Sequence, residues 1–191
     1  MKTLIRISVK TLFPTMVLCA AVLACDRRPD SAPAPDLAGT FRDNSSFCTA
    51  YDGQTVIIQR VTQQGEFYLY EVGDVVGVSA MPPPDAGSMH WDVHCEEGGV
   101  SFENFATGES LLASPPGKDV FLGDPSAWSL WTVLLDPTAN PQDQSALVRF
   151  YHRTDGPNAR DGYMTERDGW LHMTEDCGAA SVFRVSVPGS Q

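Results

Sequence analysis

"WSLWTV", residues 128–133, sets two tryptophans and a leucine between the turn GDPSA (123–127) and the polar run LLDPTANPQDQ (134–144). Its last three residues, Trp131-Thr132-Val133, alternate apolar and polar, the period of a strand with one buried face. The same triplet stands upstream as Trp91-Asp92-Val93 and downstream as Phe183-Arg184-Val185. A second alternating segment precedes each copy: Val56-Ile57-Ile58, Val100-Ser101-Phe102 and Val148-Arg149-Phe150. Between them lie GEFYL (65–69), GESLL (108–112) and DGYMT (161–165), each followed by an aspartate that opens a further strand, Asp74, Asp119 and Asp168. Four short strands per copy and three copies predict twelve strands. Helical faces of period 3.6 are scarce, and 14 prolines with 16 glycines punctuate the chain too often for long helices.

The spacing varies as a repeat with unequal loops should. Val56 to Val100 is 44 residues and Val100 to Val148 is 48, whereas Trp91 to Trp131 is 40 and Trp131 to Phe183 is 52. The extra residues fall in the turn-rich stretches PPPDAG (82–87), DPTANPQDQ (136–144) and TDGPNARDG (154–162). One four-stranded unit cannot bury its inward residues alone. Three of them, arranged around a pseudo-threefold axis, can close as a six-stranded barrel capped by three hairpins. The expected inward set is Val56, Ile58, Leu69, Trp91, Val93, Val100, Phe102, Leu112, Trp131, Val133, Val148, Phe150, Met164, Phe183 and Val185. This all-β pattern resembles the β-trefoil over roughly residues 50–188, with repeats at about 50–97, 98–144 and 145–188 inside a single domain, 37–191.

Within that fold, VSFENFATGESLLASPPGKDVFLGDPSAWSLWTV and YMTERDGWLHMTEDCGAASVFRV resemble repeats of the arabinofuranosidase-B-type carbohydrate-binding and fascin-like modules. The first resemblance implies a sugar pocket with an acidic residue in the turn before the fourth strand, hence Asp124 and Asp176. It also implies a histidine near the second strand, where this chain has Tyr70, Ala113 and Thr165. Ricin-B-like relatives carry Gln-x-Trp in the fourth strand. Here the triplets are Met89-His90-Trp91, Ser129-Leu130-Trp131 and Ser181-Val182-Phe183, so a ricin-type galactose site is not supported. From the chemistry alone, sugar recognition needs an aromatic face for the C–H surface of the ring and polar groups for its hydroxyls. Repeat two offers Asp124 with Trp128. Repeat three offers Trp170 and His172 with Glu175 and Asp176. The competing structural roles are plain: Trp128 packing under its own turn, Trp170 in a hairpin core, the aspartates capping turns.

The N-terminus carries its own signal. MKTLIRISVK holds three basic residues and no acid, and TLFPTMVLCAAVLA is apolar but short for a membrane span. It ends in Val22-Leu23-Ala24-Cys25, which resembles the lipobox of bacterial lipoproteins and implies that Cys25 takes a lipid and becomes the first residue. Ordinary secretion or a retained signal anchor are the alternatives. Residues 1–24 are thus read as signal peptide and 25–36, DRRPDSAPAPD after the cysteine, as an extended tether. Asp26 resembles the inner-membrane retention signal of enterobacteria, but other bacteria use other rules, and the leaflet stays open. Localisation is read as the bacterial cell envelope, lipid-anchored and facing the periplasm or the surface. Cleavage would remove three positive charges and take the formal charge from −11 to −14. Such an acidic domain repels phosphate backbones, so nucleic acid is not an expected partner. In an oxidising compartment Cys48, Cys95 and Cys177 remain. The fold brings the start of repeat one beside that repeat's last strand, so Cys48 is paired with Cys95 and Cys177 is left as the odd thiol.

HWDVH (90–94) puts His90, Asp92 and His94 on one strand face, a weak metal-binding pattern that is equally the polar outer face of a buried strand. No metal or other cofactor is expected. The chain lacks a Gly-x-Ser-x-Gly elbow, a His-Glu-x-x-His helix and a phosphate loop, and no enzymatic activity is expected. Two functions remain. One is a monomeric, non-catalytic envelope lipoprotein that binds glycans. The other is a protein-interaction module, an envelope assembly factor or a trefoil-type protease inhibitor, acting through PPPDAGSM (82–89) or TDGPNARDG (154–162).

Overall fold

The structure is a computed structural model and describes residues 44–135, 145–153 and 161–189. The signal and tether with Cys25, the expected domain start at Leu37, the loop 136–144 and most of the loop 154–162 lie outside the described residues.

Repeat one contributes β1 (Thr55–Thr62), β2 (Gly65–Val72), β3 (Val75–Ser79) and β4 (His90–Glu96). Repeat two contributes β5 (Gly99–Asn104), β6 (Ser110–Leu112), β7 (Phe121–Gly123) and β8 (Thr132–Leu135), and repeat three β9 (Ser145–Arg153), β10 (Asp161–Arg167), β11 (Trp170–Thr174) and β12 (Val182–Ser186). These are the twelve strands the repeats predict. Inside each repeat the first strand pairs with the fourth through the residues that announced them: Val56 with Trp91, Val100 with Trp131, Val148 with Phe183. Between repeats the match recurs two residues on, with Val93 opposite Phe102, Val133 opposite Phe150 and Val185 opposite Ile58. The last pair joins β12 to β1 and closes a six-stranded barrel, the β-trefoil fold.

The other six strands form hairpins over one end of the barrel. Their inward cross-strand pairs are Leu69 with Val78, Leu111 with Leu122 and Met164 with Met173. The hairpins are stitched in a ring, since Leu122 N–H donates to the Asp74 carbonyl, Val120 N–H to Leu171 and Val78 N–H to Gly169, each at 2.9 Å. All fifteen expected inward residues are buried, Leu112 at 6% the most exposed of them. Leu111, fully buried, is the one that occupies the place of Leu69 and Met164, so the alternation in this short strand is read one residue out of register.

One helix was not foreseen. The segment α1 (Ser45–Tyr51) buries Phe47 and Tyr51 completely, stacks their rings at 4.7 Å, and sets Phe47 6.2 Å from the barrel residue Phe102. It meets the barrel beside the β4–β5 turn, at the end away from the hairpins. Asn44 just before it completes the strand edge there, accepting from Val133 N–H at 2.8 Å and donating from Nδ2 to the Trp131 carbonyl at 3.3 Å. At the matching place in repeat one, Val93 N–H donates to the main-chain carbonyl of Gln54 instead. The Cys48–Cys95 disulfide ties α1 to β4, as the fold argument expects. Cys177 is also disulfide-bonded, which corrects the expectation that it is left as the odd thiol.

Cys48 and Cys95 are 47 residues apart in sequence. Closing a loop of that length restricts the unfolded chain by an amount worth about 4 kcal/mol in the chain-entropy model. The double substitution Cys48→Ser/Cys95→Ser is therefore expected to lower the unfolding free energy by about 2–4 kcal/mol, read from urea denaturation. A loss below about 0.5 kcal/mol would mean that α1 is held without its covalent tie.

Candidate functional site

A short 3-10 turn precedes the fourth strand of every repeat, at Ala86–Met89, Ala127–Ser129 and Cys177–Ala179. One side chain caps each turn. Asp85 accepts from Gly87 N–H at 3.0 Å, Ser126 from Trp128 N–H at 3.2 Å and Asp176 from Gly178 N–H at 2.9 Å. Asp176 thus has a local structural duty, and its counterpart in repeat two is Ser126. Asp124, two residues earlier, is exposed.

Trp128 meets repeat three at its first strand, not at the β10–β11 hairpin. Its ring stacks on that of His152, with centroids 5.3 Å apart and planes 23° from parallel. His152 is 7% exposed, touches Trp131 edgewise at 6.0 Å, and places Nδ1 2.9 Å from the Leu130 carbonyl oxygen. Trp128 is accordingly a lid over a buried histidine, although 36% of it remains exposed. His152 escaped the sequence reading, yet it continues the inward series Ala146, Val148, Phe150 by one more alternation.

Among the described residues an open groove of about 700 Å³ lies on repeat three. Pro116 and Gly117 of the β6–β7 connection form one wall, and Thr165, Arg167, His172 and Asp176 lie along the other. The alternation of the β10–β11 hairpin explains the second wall. Leu171 and Met173 point into the core, so His172 and its cross-strand partner Thr165 face outward, with Arg167 and Trp170 paired one step nearer the hairpin tip. His172 and Asp176 are therefore brought together in one groove, while Trp170, two residues from His172 on the same strand face, lies outside its lining, as do Asp124 and Trp128.

His172 is held in place. Its Nδ1 lies 2.7 Å from Asp119 Oδ1, and the two residues also form a main-chain bridge. The imidazole is 27% exposed, so the ring reaches the groove with one nitrogen committed and the other available to a ligand hydroxyl. Several neighbours serve the scaffold: Thr165 Oγ1 donates to the Ala179 carbonyl at 2.8 Å, and Glu166 Oε1 accepts from Gly169 N–H at 2.8 Å. Beneath them Arg60 donates to the carbonyls of Val61 and Val182. Burial lowers the pKa of its guanidinium, and the Glu166 carboxylate pulls it back up. Arg167 and Asp168 meet at 3.6 Å, but both are so exposed that the pair adds little. Glu166, Glu175, Asp176 and Arg167 line the groove, with Asp119 held against His172 and Arg60 electrostatically coupled to Glu166.

The His90, Asp92 and His94 face disperses to separate partners. His90 packs edgewise on Phe105 at 6.5 Å, Asp92 accepts from the Thr55 hydroxyl at 2.5 Å, and His94 lies 3.9 Å from Glu103. Among the described residues no cluster of three or more His, Cys, Asp or Glu side chains is arranged to hold a metal ion.

The architecture defines a β-trefoil domain with an outward groove on its third hairpin. Among solved structures the chain is similar to a GlcNAcα1-4Gal-releasing endo-β-galactosidase from Clostridium perfringens, at 17% identity and a TM-score of 0.54 over 69% of this chain and 32% of that one. The chain thus spans about a third of that protein. It is also similar to a ricin B-like lectin from Macrolepiota procera in complex with lactose, at 12% identity and a TM-score of 0.51 over 72% of this chain and 97% of that one. At these identities the likeness is one of fold. No family model matches the chain. No curated protein matches it either.

The turn geometry carries its own test. Asp85→Ala and Asp176→Ala are each expected to cost about 1 kcal/mol in urea unfolding, by exposing or orphaning the capped amide. Asp124→Ala is expected to stay within about 0.5 kcal/mol of the unmodified chain. An equal loss at all three positions would contradict the assignment of the caps.

Proposed function

We propose that this protein is a non-catalytic carbohydrate-binding lipoprotein of the bacterial envelope, anchored through Cys25, and that the glycan seats in the groove of the third repeat. The observation that carries the reading is His172, fixed on Asp119 at 2.7 Å in an open groove, with the exposed indole of Trp170 two residues away on the same strand face. Hydroxyl-rich ligands need a few pre-positioned polar groups and an aromatic face, at low ordering cost, in a site that stays wet. The two fold neighbours, named for an endo-β-galactosidase and for a lectin with lactose, favour the same ligand class. Binding without cleavage is favoured because the carboxylates of Asp176 and Glu166 each accept a main-chain amide and so serve their own turns.

The full chain, purified in detergent, is expected to bind members of a neutral-glycan panel in competition with free sugar. His172→Ala is expected to weaken binding about tenfold, the loss of one well-placed hydrogen bond, while Trp128→Ala leaves it in place. If nothing binds at millimolar sugar, the protein-interaction reading takes over. It has its own support in Met81, 75% exposed beside the proline run 82–84, and Phe105, 60% exposed. The anchor is tested separately. Mass spectrometry of the N-terminal peptide, with and without reductant, is expected to find Cys25 acylated, whereas an unacylated Cys25 released by reductant would place it in a disulfide and remove the lipid from the reading.

A further inference from the structure

The outward face of the β10–β11 hairpin does not stop at the groove. Thr165 pairs with His172 and Arg167 with Trp170, and the strip then crosses onto the first repeat, because Trp170 pairs with Gly77 of β3 and Gly77 with Tyr70 of β2. Gly77 is what keeps that crossing low. A Cβ at this position would stand 3.0 Å from Cε1 and Cζ of Tyr70 and 3.0 Å from Val72, so the Tyr70 ring leans over the strand in the space a side chain would occupy. Gly77 has ordinary strand geometry and needs no left-handed backbone, so the requirement at this site is one of room. The result is a surface in which His172, Trp170 and Tyr70 follow one another, with the indole 43% exposed. From the rise along a strand and the spacing between strands, the path from His172 to Tyr70 is about 16 Å, longer than one pyranose ring.

We infer that the third-repeat groove and the Trp170–Gly77–Tyr70 crossing form one extended site for a neutral oligosaccharide, with one sugar unit on His172 and the following units against the aromatic side chains. This rests on the glycan-binding reading above and specifies its ligand. Chain length enters because a single sugar fills only the histidine end, while stacking on Trp170 is open to the second and later units. Neutrality enters through charge. The whole chain carries −11, so a uronic or sialic acid polymer is repelled.

The test is calorimetric titration of the full chain with β1-4-linked galacto-, gluco- and manno-oligosaccharides of one to four units, and with oligogalacturonate as the charged comparison. Affinity is expected to rise about three- to tenfold from one unit to three, the range of an aromatic stacking contact, with no binding of oligogalacturonate. Trp170→Ala is expected to flatten that rise, and Gly77→Ala, which displaces the Tyr70 ring, to reduce it. Trp128→Ala, away from the strip, keeps it. Each variant is first matched to the parent by its urea midpoint. Equal affinity for all lengths, or a rise that persists in Trp170→Ala, would overturn the extended site and leave glycan binding standing. Failure of every neutral sugar to bind would remove both.

Discussion

The molecule depends on one closure. Val56, Val100 and Val148 must meet Trp91, Trp131 and Phe183, and the seam between Ile58 and Val185 must then join the ends of the chain. Once those registers are set, the large inward side chains fill the barrel, with Phe150 touching Phe102 at 5.2 Å, Phe183 at 5.3 Å and Trp131 at 6.0 Å. A slip of one residue in any strand would turn its apolar face to water, which is why the registers are tightly specified. The three repeats are alike but not equivalent. Trp131 donates its indole N–H to the Leu111 carbonyl at 2.9 Å, while the indole N–H of Trp91 is buried without a partner among the described residues.

Most of the barrel was legible because its information is local. Alternation in six short segments marks the inward residues, and recurrence of the same segments says which strands belong together. The hairpins were legible in outline only. In β6 the run Ser-Leu-Leu has apolar residues at successive positions, and period-two reasoning cannot choose between Leu111 and Leu112. The helix α1 was invisible for a related reason: seven residues, SSFCTAY, offer a single pair of apolar side chains four apart, too little to distinguish from a turn. Its formation is decided by Phe47 and Tyr51 packing on the barrel, a tertiary cause.

The site was legible by residue type and not by arrangement. Trp170, His172 and Asp176 are close in sequence, and strand alternation does place them along one hairpin and its following turn. Asp119, which holds His172, comes from another repeat, and nothing near it in the sequence points to that contact. Asp124 and Trp128 looked equivalent to Asp176 and its neighbours, yet the pseudo-symmetry is kept by hydrogen bonds, and those bonds match Ser126 to Asp176. Divergence among the repeats has thus been accommodated without cost to the barrel, because outward positions on the cap contribute little to closure.

The seam between β1 and β12 also says something about timing. Its partners, Ile58 and Val185, lie 127 residues apart, so no part of that contact exists until nearly the whole chain has been synthesised. Hairpins such as β2–β3 and β10–β11 can form from neighbouring residues, but the barrel cannot. Folds dominated by pairings this distant in sequence reach their native state slowly. A newly made chain therefore cannot shut its barrel until β12 has been made and reaches β1.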